Sequence, residues 1–534
     1  MRPITEVAAE LGLSPDHVMP WGPGRAKISL DAKGPPRGKL VLVSAITPTP
    51  NGEGKTTMAI SLGMGLRKLG VNVALALREP SIGPVFGRKG GGTGGGKATI
   101  EPADAINLHN TGDMHAITSA HNLLASLVDH AMERPHGVPL MDRLLLPQRT
   151  RWRRVMDLND RSLREIAISL DGVVRKTGFD ITAASEVMAV LCLAEDRADL
   201  EARLARLVVG EDDRGQPVTA ADLKAVGAMS ALLTEAIQAN LVQTAEGGPV
   251  VLHGGPFANI AHGCNSRIAT RTALAHADVV LTEAGFAFDL GGEKFLDIKA
   301  RADGLWPSAL ALVVTRRALL WHGNDDLERG LQMLGHHLSA AARFGLPTVA
   351  VLNRFPDDDP AMIARIAAYC AERGAAFAPC DGFGNGGEGS KEAAAVLQGV
   401  LASAPPPVPR YLYPLDMPIP EKLHTIATAM YGAAGVVLED GAKKDLARIE
   451  GLGGGNLPVC VAKTQASLTD DPKKKGPIFG HTVRFRELRL HAGAGFVVAL
   501  AGEMMTMPGL PKEPAAWRAK VEPNGKIRGL MQGD

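Results

Sequence analysis

The residues with the clearest capacity for chemistry lie in a glycine-containing loop, TPTPNGEG at 47–54, which is followed by Lys55, Thr56 and Thr57. The apolar run 40–46 before it is typical of a buried strand in a parallel sheet, and the apolar-periodic segment 55–69 predicts a helix. Backbone N–H groups, the positive end of a helix and a lysine converge in such a unit. We therefore predict that the 47–54 loop cradles the phosphates of a nucleotide.

This loop departs from the pattern G-x-x-x-x-G-K-[ST], since Thr49 occupies the position of the first glycine. We expect Lys55 to hold the β- and γ-phosphates and the hydroxyl of Thr56 to reach Mg²⁺. The alternative is a solvated glycine loop without a ligand, and the flanking strand and helix favour nucleotide binding. The predicted ATP-binding residues are Thr49, Pro50, Asn51, Gly52, Glu53, Gly54, Lys55 and Thr56.

A second candidate group follows the next predicted strand, 71–77, and consists of Arg78 and Glu79. The carboxyl ends of parallel strands are where such sheets present ligand-contacting residues. Arg78 would balance the charge on a transferred phosphoryl group, and Glu79 or Asp113 would orient Mg²⁺, its waters or the acceptor. A structural ion pair is the alternative for Arg78 and Glu79, and both interpretations stay open here.

The segment 83–97 holds eight glycines between Gly83 and Gly96, which disfavours a regular element. We expect its backbone to close around a phosphate or a carboxylate, with a plain flexible loop as the alternative. Phe355 and Phe383 also stand out, because aromatic residues make up only 4% of the chain and both lie in predicted loops. Stacking on a flat heteroaromatic ligand is one interpretation, and core packing is the other.

Strand-like runs that alternate with helical segments predict an α/β fold with a doubly wound, mostly parallel sheet of the phosphate-loop type. The first part of the nucleotide-binding domain is predicted over 1–115 and its second part over 241–345. Between them, 116–240 is expected to be a largely helical insertion, because it reads mostly as amphipathic helix. The remainder, 346–534, is predicted to be a C-terminal α/β domain that contributes a ligand pocket.

The charge balance of the chain favours neither a nucleic acid nor an anionic membrane as a partner. Lys and Arg number 58 and Asp and Glu number 57, which gives a formal net charge of +1. No run approaches the ~20 apolar residues of a membrane span, and the first twenty residues carry Glu6, Glu10 and Asp16 instead of a signal sequence. The five cysteines are dispersed, as expected for a reducing compartment. We therefore expect a cytoplasmic protein.

The combined motifs resemble the formate–tetrahydrofolate ligase family over nearly the whole chain. The strings that carry the resemblance include TPTPNGEGKTT, REPSIGPVFGRKGG, GFDITAASEVMA, LVQTAEGGPVVLHGGPFANIAHG, EAGFAFDLGGEKF and MTMPGLP. The resemblance implies an ATP-dependent ligation of formate to tetrahydrofolate through formyl phosphate, which gives 10-formyltetrahydrofolate, ADP and phosphate. It implies Mg²⁺ with ATP, a monovalent cation such as K⁺ as an option, and a homo-oligomer that is a tetramer in the family.

By the same resemblance Lys55 and Arg78 bind the γ-phosphate and then formyl phosphate, and Phe355 and Phe383 flank the folate rings. The chain departs from the family pattern at several ligand-facing positions. They are Lys97, Thr99, Ala103 to Ala105, Phe383 (in place of Trp), Asn385 (in place of Lys) and Ala466. Two other hypotheses remain open: a relative that binds nucleotide or folate without turnover, and a kinase or ligase for another small carboxylate or pterin.

Overall fold

The computed structural model describes residues 1–87, 90–133, 143–170 and 173–530. The strands in chain order are β1 (Val18–Pro20), β2 (Ala26–Ile28), β3 (Lys39–Ala45), β4 (Val73–Leu77), β5 (Gly94–Gly95), β6 (Ala98–Glu101), β7 (Arg154–Met156), β8 (Ile166–Leu170), β9 (Val173–Thr177), β10 (Phe179–Ile181), β11 (Val208–Glu211), β12 (Pro217–Thr219), β13 (Asn240–Thr244), β14 (Pro249–Leu252), β15 (Val279–Glu283), β16 (Ala309–Val314), β17 (Thr348–Asn353), β18 (Ala376–Cys380), β19 (Gly435–Leu438), β20 (Val459–Ala462), β21 (Thr482–His491), β22 (Phe496–Ala501), β23 (Lys520–Val521) and β24 (Ile527–Arg528).

Helices alternate with these strands over most of the chain. In chain order they are α1 (Ile4–Glu10), α2 (Lys55–Lys68), α3 (Ile82–Phe86), α4 (Ala103–Leu108), α5 (Asp113–Met132), α6 (Glu186–Leu193), α7 (Arg197–Ala205), α8 (Val226–Leu232), α9 (Arg267–His276), α10 (Arg301–Asp303), α11 (Arg316–Gly323), α12 (Leu327–Arg343), α13 (Pro360–Ala371), α14 (Gly382–Asn385), α15 (Lys391–Ser403), α16 (Ile419–Tyr431) and α17 (Asp440–Gly451). Two π-helical stretches, Phe288–Gly292 and Phe295–Ala300, precede α10.

The centre of the molecule is a twelve-stranded sheet with the order β1-β2-β13-β14-β4-β15-β3-β16-β17-β18, and β5 and β6 are joined to it at β13. From β14 to β18 every neighbouring pair is parallel. At the other end β13, β2 and β1 add antiparallel pairs. Because the strands of the parallel part share one direction, their carboxyl ends meet at a single edge of the sheet.

Strand β3 shows why the middle of this sheet is stable. All but its first residue are buried, and successive side chains point to opposite faces. Val41, Val43 and Ala45 pack in one apolar cluster with α2 and α15, whereas Leu40 and Leu42 belong to the larger cluster on the other face. A strand with two buried faces must be apolar throughout, and this explains the unbroken run in the sequence.

A second, four-stranded sheet lies in the C-terminal part, with the order β19-β21-β22-β20. The structure confirms the α/β class and the large, mostly parallel central sheet. The division of the chain into four segments stays a prediction. Strands β17 and β18 follow residue 346, yet they belong to the central sheet.

The segment 116–240 holds short paired strands as well as helices, so the expectation of a largely helical insertion is too simple. Strand β8 pairs with β9, β7 with β10, and β11 with β12. In β8 partly buried and exposed residues alternate, which is the period of a strand and not of a helix. The part of this insertion at 134–142 lies outside the described residues.

Two further expectations needed correction. The sequence of the N-terminal part, to about Gly34, predicts a small helical segment, but besides α1 and a 3₁₀ turn at Pro15–His17 this part supplies β1 and β2 to the central sheet. The glycine-rich segment 83–97 was expected to lack regular elements, but it contains most of the five-residue helix α3 and the two-residue strand β5. Arg88 and Lys89 of that segment lie outside the described residues.

Candidate active site

The carboxyl edge of the parallel strands brings together most of the candidate residues. Strand β3 ends at the 47–54 loop, β4 at Arg78, β15 at Glu283, β17 at Asn353 and β18 shortly before Phe383. Strand β15 lies between β3 and β4. Residues far apart in sequence therefore meet within this one edge.

The 47–54 loop is braced from inside by Glu53. This side chain is 2% exposed, and its Oε1 accepts a hydrogen bond from the backbone N–H of Thr49 at 2.7 Å. Its second oxygen accepts from the hydroxyl of Thr315, and its backbone carbonyl accepts from Nδ2 of Asn353 at 3.1 Å. The carboxylate of Glu53 therefore fixes the shape of the loop.

Two buried histidines hold Thr47 at the start of this loop. The N–H of Thr47 donates to Nε2 of His337 at 3.0 Å, and its carbonyl oxygen lies 2.9 Å from Nε2 of His322. Nδ1 of His322 accepts from the N–H of Gly476 at 3.2 Å, so Nε2 is its donor. Burial lowers the pKa of His337 to about 3. Both rings are neutral near pH 7, and both peptide groups of Thr47 are fixed.

Glu283 joins two of the predicted site residues. Its Oε2 accepts a hydrogen bond from the hydroxyl of Thr56 at 2.9 Å, and its Oε1 lies 3.3 Å from Nη2 of Arg78. Nη1 of Arg78 donates to the carbonyl of Pro256 at 3.3 Å. Within the described part of the chain, Nε of Arg78 is buried without a hydrogen-bond partner. Arg78 is therefore held in place by two contacts, and its Nε can still donate a hydrogen bond to a ligand.

Sequence reasoning missed Glu283. The signal was present, because an acidic residue ends the apolar run of β15 in the string DVVLTEAG. In nucleotide-binding proteins of the phosphate-loop class, an acidic residue at the end of a neighbouring strand supports the metal-binding hydroxyl. The sequence alone could not show that β15 pairs directly with β3, and the structure shows this pairing.

Glu79 and Asp113 belong to a buried polar network. Glu79 is 4% exposed and accepts from Nδ2 of Asn110 at 3.0 Å. Burial, and then the charge of Asp113, raises the pKa of Glu79 to about 8. Asp113 is 1% exposed and is bound by Nζ of Lys27 at 2.6 Å and by Nδ2 of Asn240 at 2.8 Å. Glu79 is therefore neutral at pH 7, and the oxygens of Asp113 are already occupied.

A cavity of about 340 Å³ lies against the 47–54 loop. Phe355 forms part of its wall, and the guanidinium carbon of Arg317 lies 3.9 Å from the centroid of that ring. The cavity thus joins five predicted ATP-binding residues to one of the two predicted folate-binding aromatics. Its lining residues are Thr49, Pro50, Asn51, Gly52, Glu53, Thr315, Arg317, Trp321 and Phe355.

Phe383 is not part of that lining. Its ring is 50% exposed and lies over the glycine-rich segment, where the N–H of Lys97 donates to its carbonyl at 2.9 Å. A Cβ atom on Gly96, which has φ +60°, would lie 2.1 Å from that carbonyl oxygen, so glycine is required for this approach. Asn385, on the same short helix, bonds Oδ2 of Asp381 at 2.6 Å. Three of the departures from the family pattern, Lys97, Phe383 and Asn385, therefore lie on adjoining segments.

The donor set around Thr56 is compatible with Mg²⁺. The hydroxyl of Thr56 and the carboxylate of Glu283 are hard oxygen donors, and Mg²⁺ in nucleotide sites keeps several waters and phosphate oxygens as ligands. In residues 1–87, 90–133, 143–170 and 173–530 no group of three or more His, Cys, Asp or Glu side chains forms a preformed metal site. Phosphate oxygens and water would have to complete the coordination.

The fold and this edge define a large α/β protein whose candidate ligand site combines a strand–loop–helix unit with charged residues from two neighbouring strands. The model of the family formate–tetrahydrofolate ligase matches residues 1–531. The chain is 55% identical to the formate–tetrahydrofolate ligase of Myxococcus xanthus over 554 aligned positions, which cover 100% of both chains. It is 50% identical to that of Hyphomonas neptunium, with 99% of this chain and 98% of the relative covered. The chain belongs to the formate–tetrahydrofolate ligase family.

Among the described residues no helix is long and apolar enough to cross a membrane.

Proposed function

We propose that this protein ligates formate to tetrahydrofolate at the expense of ATP, with formyl phosphate as intermediate. The observation that carries the proposal is the shared carboxylate of Glu283, which joins Thr56 at the start of α2 to Arg78 at the end of β4. Lys55 begins the same helix. Family membership supports the substrates, and this cluster of charges supports phosphoryl transfer.

In the first step an oxygen of formate attacks the γ-phosphorus of ATP, the bond to the β-phosphate oxygen breaks, and ADP leaves. Lys55 and Arg78 would neutralise the three equatorial oxygens of the transferred group, which is the main task of a protein in this chemistry. Thr56 and Glu283 would hold Mg²⁺, which supplies further neutralisation of the phosphate charge. Within residues 49–54 the backbone N–H groups of Asn51, Glu53 and Gly54 would bind the phosphates, because Pro50 has no N–H and that of Thr49 already donates to Glu53.

In the second step the amine of tetrahydrofolate attacks the formyl carbon, phosphate leaves, and the amine loses a proton. Arg78 and Lys55 would stay on the leaving phosphate. Phe355 and Phe383 would bind the flat rings of the folate, and Phe355 would do so from the wall of the cavity. Neutral Glu79 would orient the acceptor, and Asp113 would act through Lys27 and Asn240 as a positioning residue.

Three further features of the proposal carry no residue assignment. They are activation by a monovalent cation such as K⁺, a homo-oligomer that the family resemblance makes a tetramer, and a cytoplasmic location. Light scattering coupled to gel filtration would measure the subunit number, and exchange of K⁺ for a large organic cation during turnover would test the cation.

The decisive experiment measures ADP release from the purified protein, with formate and tetrahydrofolate supplied singly and together. We expect full ADP release only with both substrates, and 10-formyltetrahydrofolate formed in equal amount. A protein that only binds nucleotide would release no ADP, and a kinase for another carboxylate would release ADP with its own substrate and not with formate.

The variant that tests the assignment of the 47–54 loop and Lys55 is Lys55→Ala. We expect turnover to fall about 10²–10³-fold, because a charge that acts on the transferring group is lost. The unfolding temperature should stay within a few degrees of the wild-type value. Lys68→Ala, at the other end of the same helix, is the control and should retain turnover. A folded Lys55→Ala protein with near-normal turnover would rule out the assignment of this loop.

A further inference from the structure

The C-terminal end of the described chain contacts the glycine-rich segment 83–97. The N–H of Ala515 donates to the carbonyl of Gly87 at 2.8 Å, and the N–H of Gly91 donates to the carbonyl of Leu530 at 2.6 Å. Ala515 is 4% exposed and Leu530 is 2% exposed. Two buried backbone contacts therefore join the last part of the chain to a segment that follows Arg78 and Glu79 in sequence.

The string MTMPGLP attaches this part of the chain to the insertion. The carbonyl of Thr506 accepts from the N–H of Ile181 at 2.9 Å. Met507 is 1% exposed, and its carbonyl accepts from Nε of Arg164 at 2.8 Å. We call residues 505–530 the C-terminal arm, which is thus fixed to the insertion at its start and to the glycine-rich segment further on.

The glycine-rich segment depends on such contacts because it has few side chains of its own to pack. Glycine also loses more backbone freedom on folding than any other residue, so a single conformation of this segment has to be stabilised from outside. At its far end the segment contacts the proposed folate-binding ring. A Cβ atom on Gly95 would lie 3.1 Å from Cε2 of Phe383, and the N–H of Lys97 donates to the carbonyl of Phe383 at 2.9 Å. The segment therefore lies between the C-terminal arm and Phe383.

We propose that the C-terminal arm positions the glycine-rich segment, and through it Phe383, for tetrahydrofolate, and that Ala515 and Leu530 are positioning residues of the ligase reaction. The proposal rests on the proposed function, in which Phe383 binds the rings of the folate. It assigns to the arm an effect on the folate and none on ATP, because the phosphates of ATP are assigned to the 47–54 loop and Lys55.

The variant that tests the arm is Ala515→Pro, which removes the N–H that donates to Gly87. Ala515 begins a 3₁₀ turn and follows Pro514, whose extended backbone (ψ 146°) is compatible with a proline after it. We expect the KM for tetrahydrofolate to rise about two- to tenfold, the factor that corresponds to one hydrogen bond. The KM for ATP and the unfolding temperature should change little. Trp517→Ala is the control, because this side chain of the same turn is 72% exposed, and it should leave both KM values unchanged.

A double-variant cycle with Phe383→Ala distinguishes positioning of the ring from general stability. In the Phe383→Ala background Ala515→Pro should raise the KM for tetrahydrofolate no further, because the ring through which the arm acts is absent. Leu530→Ala shortens a buried side chain at the second contact and should give the same pattern. It takes the place of Ala515→Pro if that variant unfolds more than a few degrees below the wild-type protein.

Three results would overturn the proposal. An unchanged KM for tetrahydrofolate in both arm variants would mean that the arm does not position the site. A rise in the KM for ATP alone would assign the glycine-rich segment to the nucleotide. An equal rise with and without Phe383 would mean that the arm acts elsewhere. In each case turnover of formate and tetrahydrofolate by the wild-type protein would leave the proposed function intact, whereas a wild-type protein without turnover would overturn both.

Discussion

At the scale of single residues, Glu283 is the most informative side chain of the edge. Its two oxygens are shared between Thr56 and Arg78, and its side chain is 5% exposed. A carboxylate in this position keeps the guanidinium of Arg78 and the hydroxyl of Thr56 oriented in the absence of substrate. We interpret it as a residue that prepares the site for the charge of ATP with Mg²⁺.

Glu283→Gln should therefore weaken the apparent affinity for Mg²⁺ about 10–100-fold, the usual cost of losing a supporting partner of a metal ligand. The amide oxygen of Gln can still accept from Thr56, whereas the amide nitrogen cannot accept from Arg78, so the charge and one hydrogen bond are removed. Turnover measured against Mg²⁺ concentration at saturating ATP gives the affinity. Asp278→Asn, just before the other end of the same strand, is the control. Equal Mg²⁺ curves for Glu283→Gln and the wild-type protein would remove Glu283 from the site.

Phe383 allows a second prediction at this scale. Its half-exposed ring rests on the glycine-rich segment and is free to take a flat ligand on its outer side. Phe383→Ala should raise the KM for tetrahydrofolate and Phe383→Trp should lower it, because ring stacking contributes about 0.5–1.5 kcal/mol beyond area burial. The KM for ATP should change little in either variant. If Phe383→Ala raised the KM for ATP alone, the ring would instead contact the nucleotide.

At the scale of elements, helices α11 and α12 determine where the 47–54 loop begins. His322 and His337 project from these helices and fix the carbonyl and the N–H of Thr47, respectively. His337 accepts its hydrogen bond, which requires neutral imidazole, and the complete burial of His337 keeps the ring neutral by lowering its pKa to about 3. The loop is therefore positioned by tertiary contacts as well as by its own turns.

His337→Leu should weaken ATP binding about fivefold, since one buried hydrogen bond is worth about 1 kcal/mol. His337→Gln should restore most of the affinity, because its amide oxygen can accept from the N–H of Thr47. Equilibrium binding of ATP and the unfolding temperature, measured on both variants, separate loop positioning from general stability. If the two variants lost affinity and stability equally, the hydrogen bond to Thr47 would have no specific role.

At the scale of the whole molecule, the insertion and the second sheet are joined by a buried carboxyl group. Glu186 begins α6, and its Oε1 accepts from the N–H groups of Gly493 at 2.8 Å and Ala494 at 3.3 Å, in the turn between β21 and β22. Burial raises the pKa of Glu186 to about 8. Because the pKa of Glu186 is higher in the folded than in the unfolded protein, its protonation stabilises the fold. This contribution is complete below the unfolded pKa of about 4.5 and is lost as the pH rises through 8.

Glu186→Gln should therefore raise the unfolding temperature relative to wild type at pH 9 and leave it nearly unchanged at pH 5. The amide keeps the acceptor for both backbone N–H groups but carries no charge to bury. Calorimetry at the two pH values gives the comparison, with Glu201→Gln on the exposed face of α7 as control. An equal shift at both pH values would show that the ionisation of Glu186 does not limit stability.

The sequence by itself determined the local units of the site. The strand, loop and helix around Lys55, the second strand that ends before Arg78, and the strand-like runs of β14, β15, β16 and β17 were predicted within a few residues, whereas β13 and β18 were not. Such units are encoded by contiguous apolar runs and glycine-rich turns, and a buried parallel strand has no other pattern available to it. The long family strings added the substrates, which no periodicity could supply.

Only the tertiary structure decided which of these units are neighbours. The pairing of β15 with both β3 and β4 brought Glu283 to Thr56 and Arg78, and the contact of Gly476 with His322 brought a C-terminal segment against α11. The short strands of the insertion were missed for the same reason, because two or three residues in a strand are stabilised by their partner and not by their own pattern. Contacts between distant segments depend on the order of strands in the sheet, and that order is a property of the packed chain.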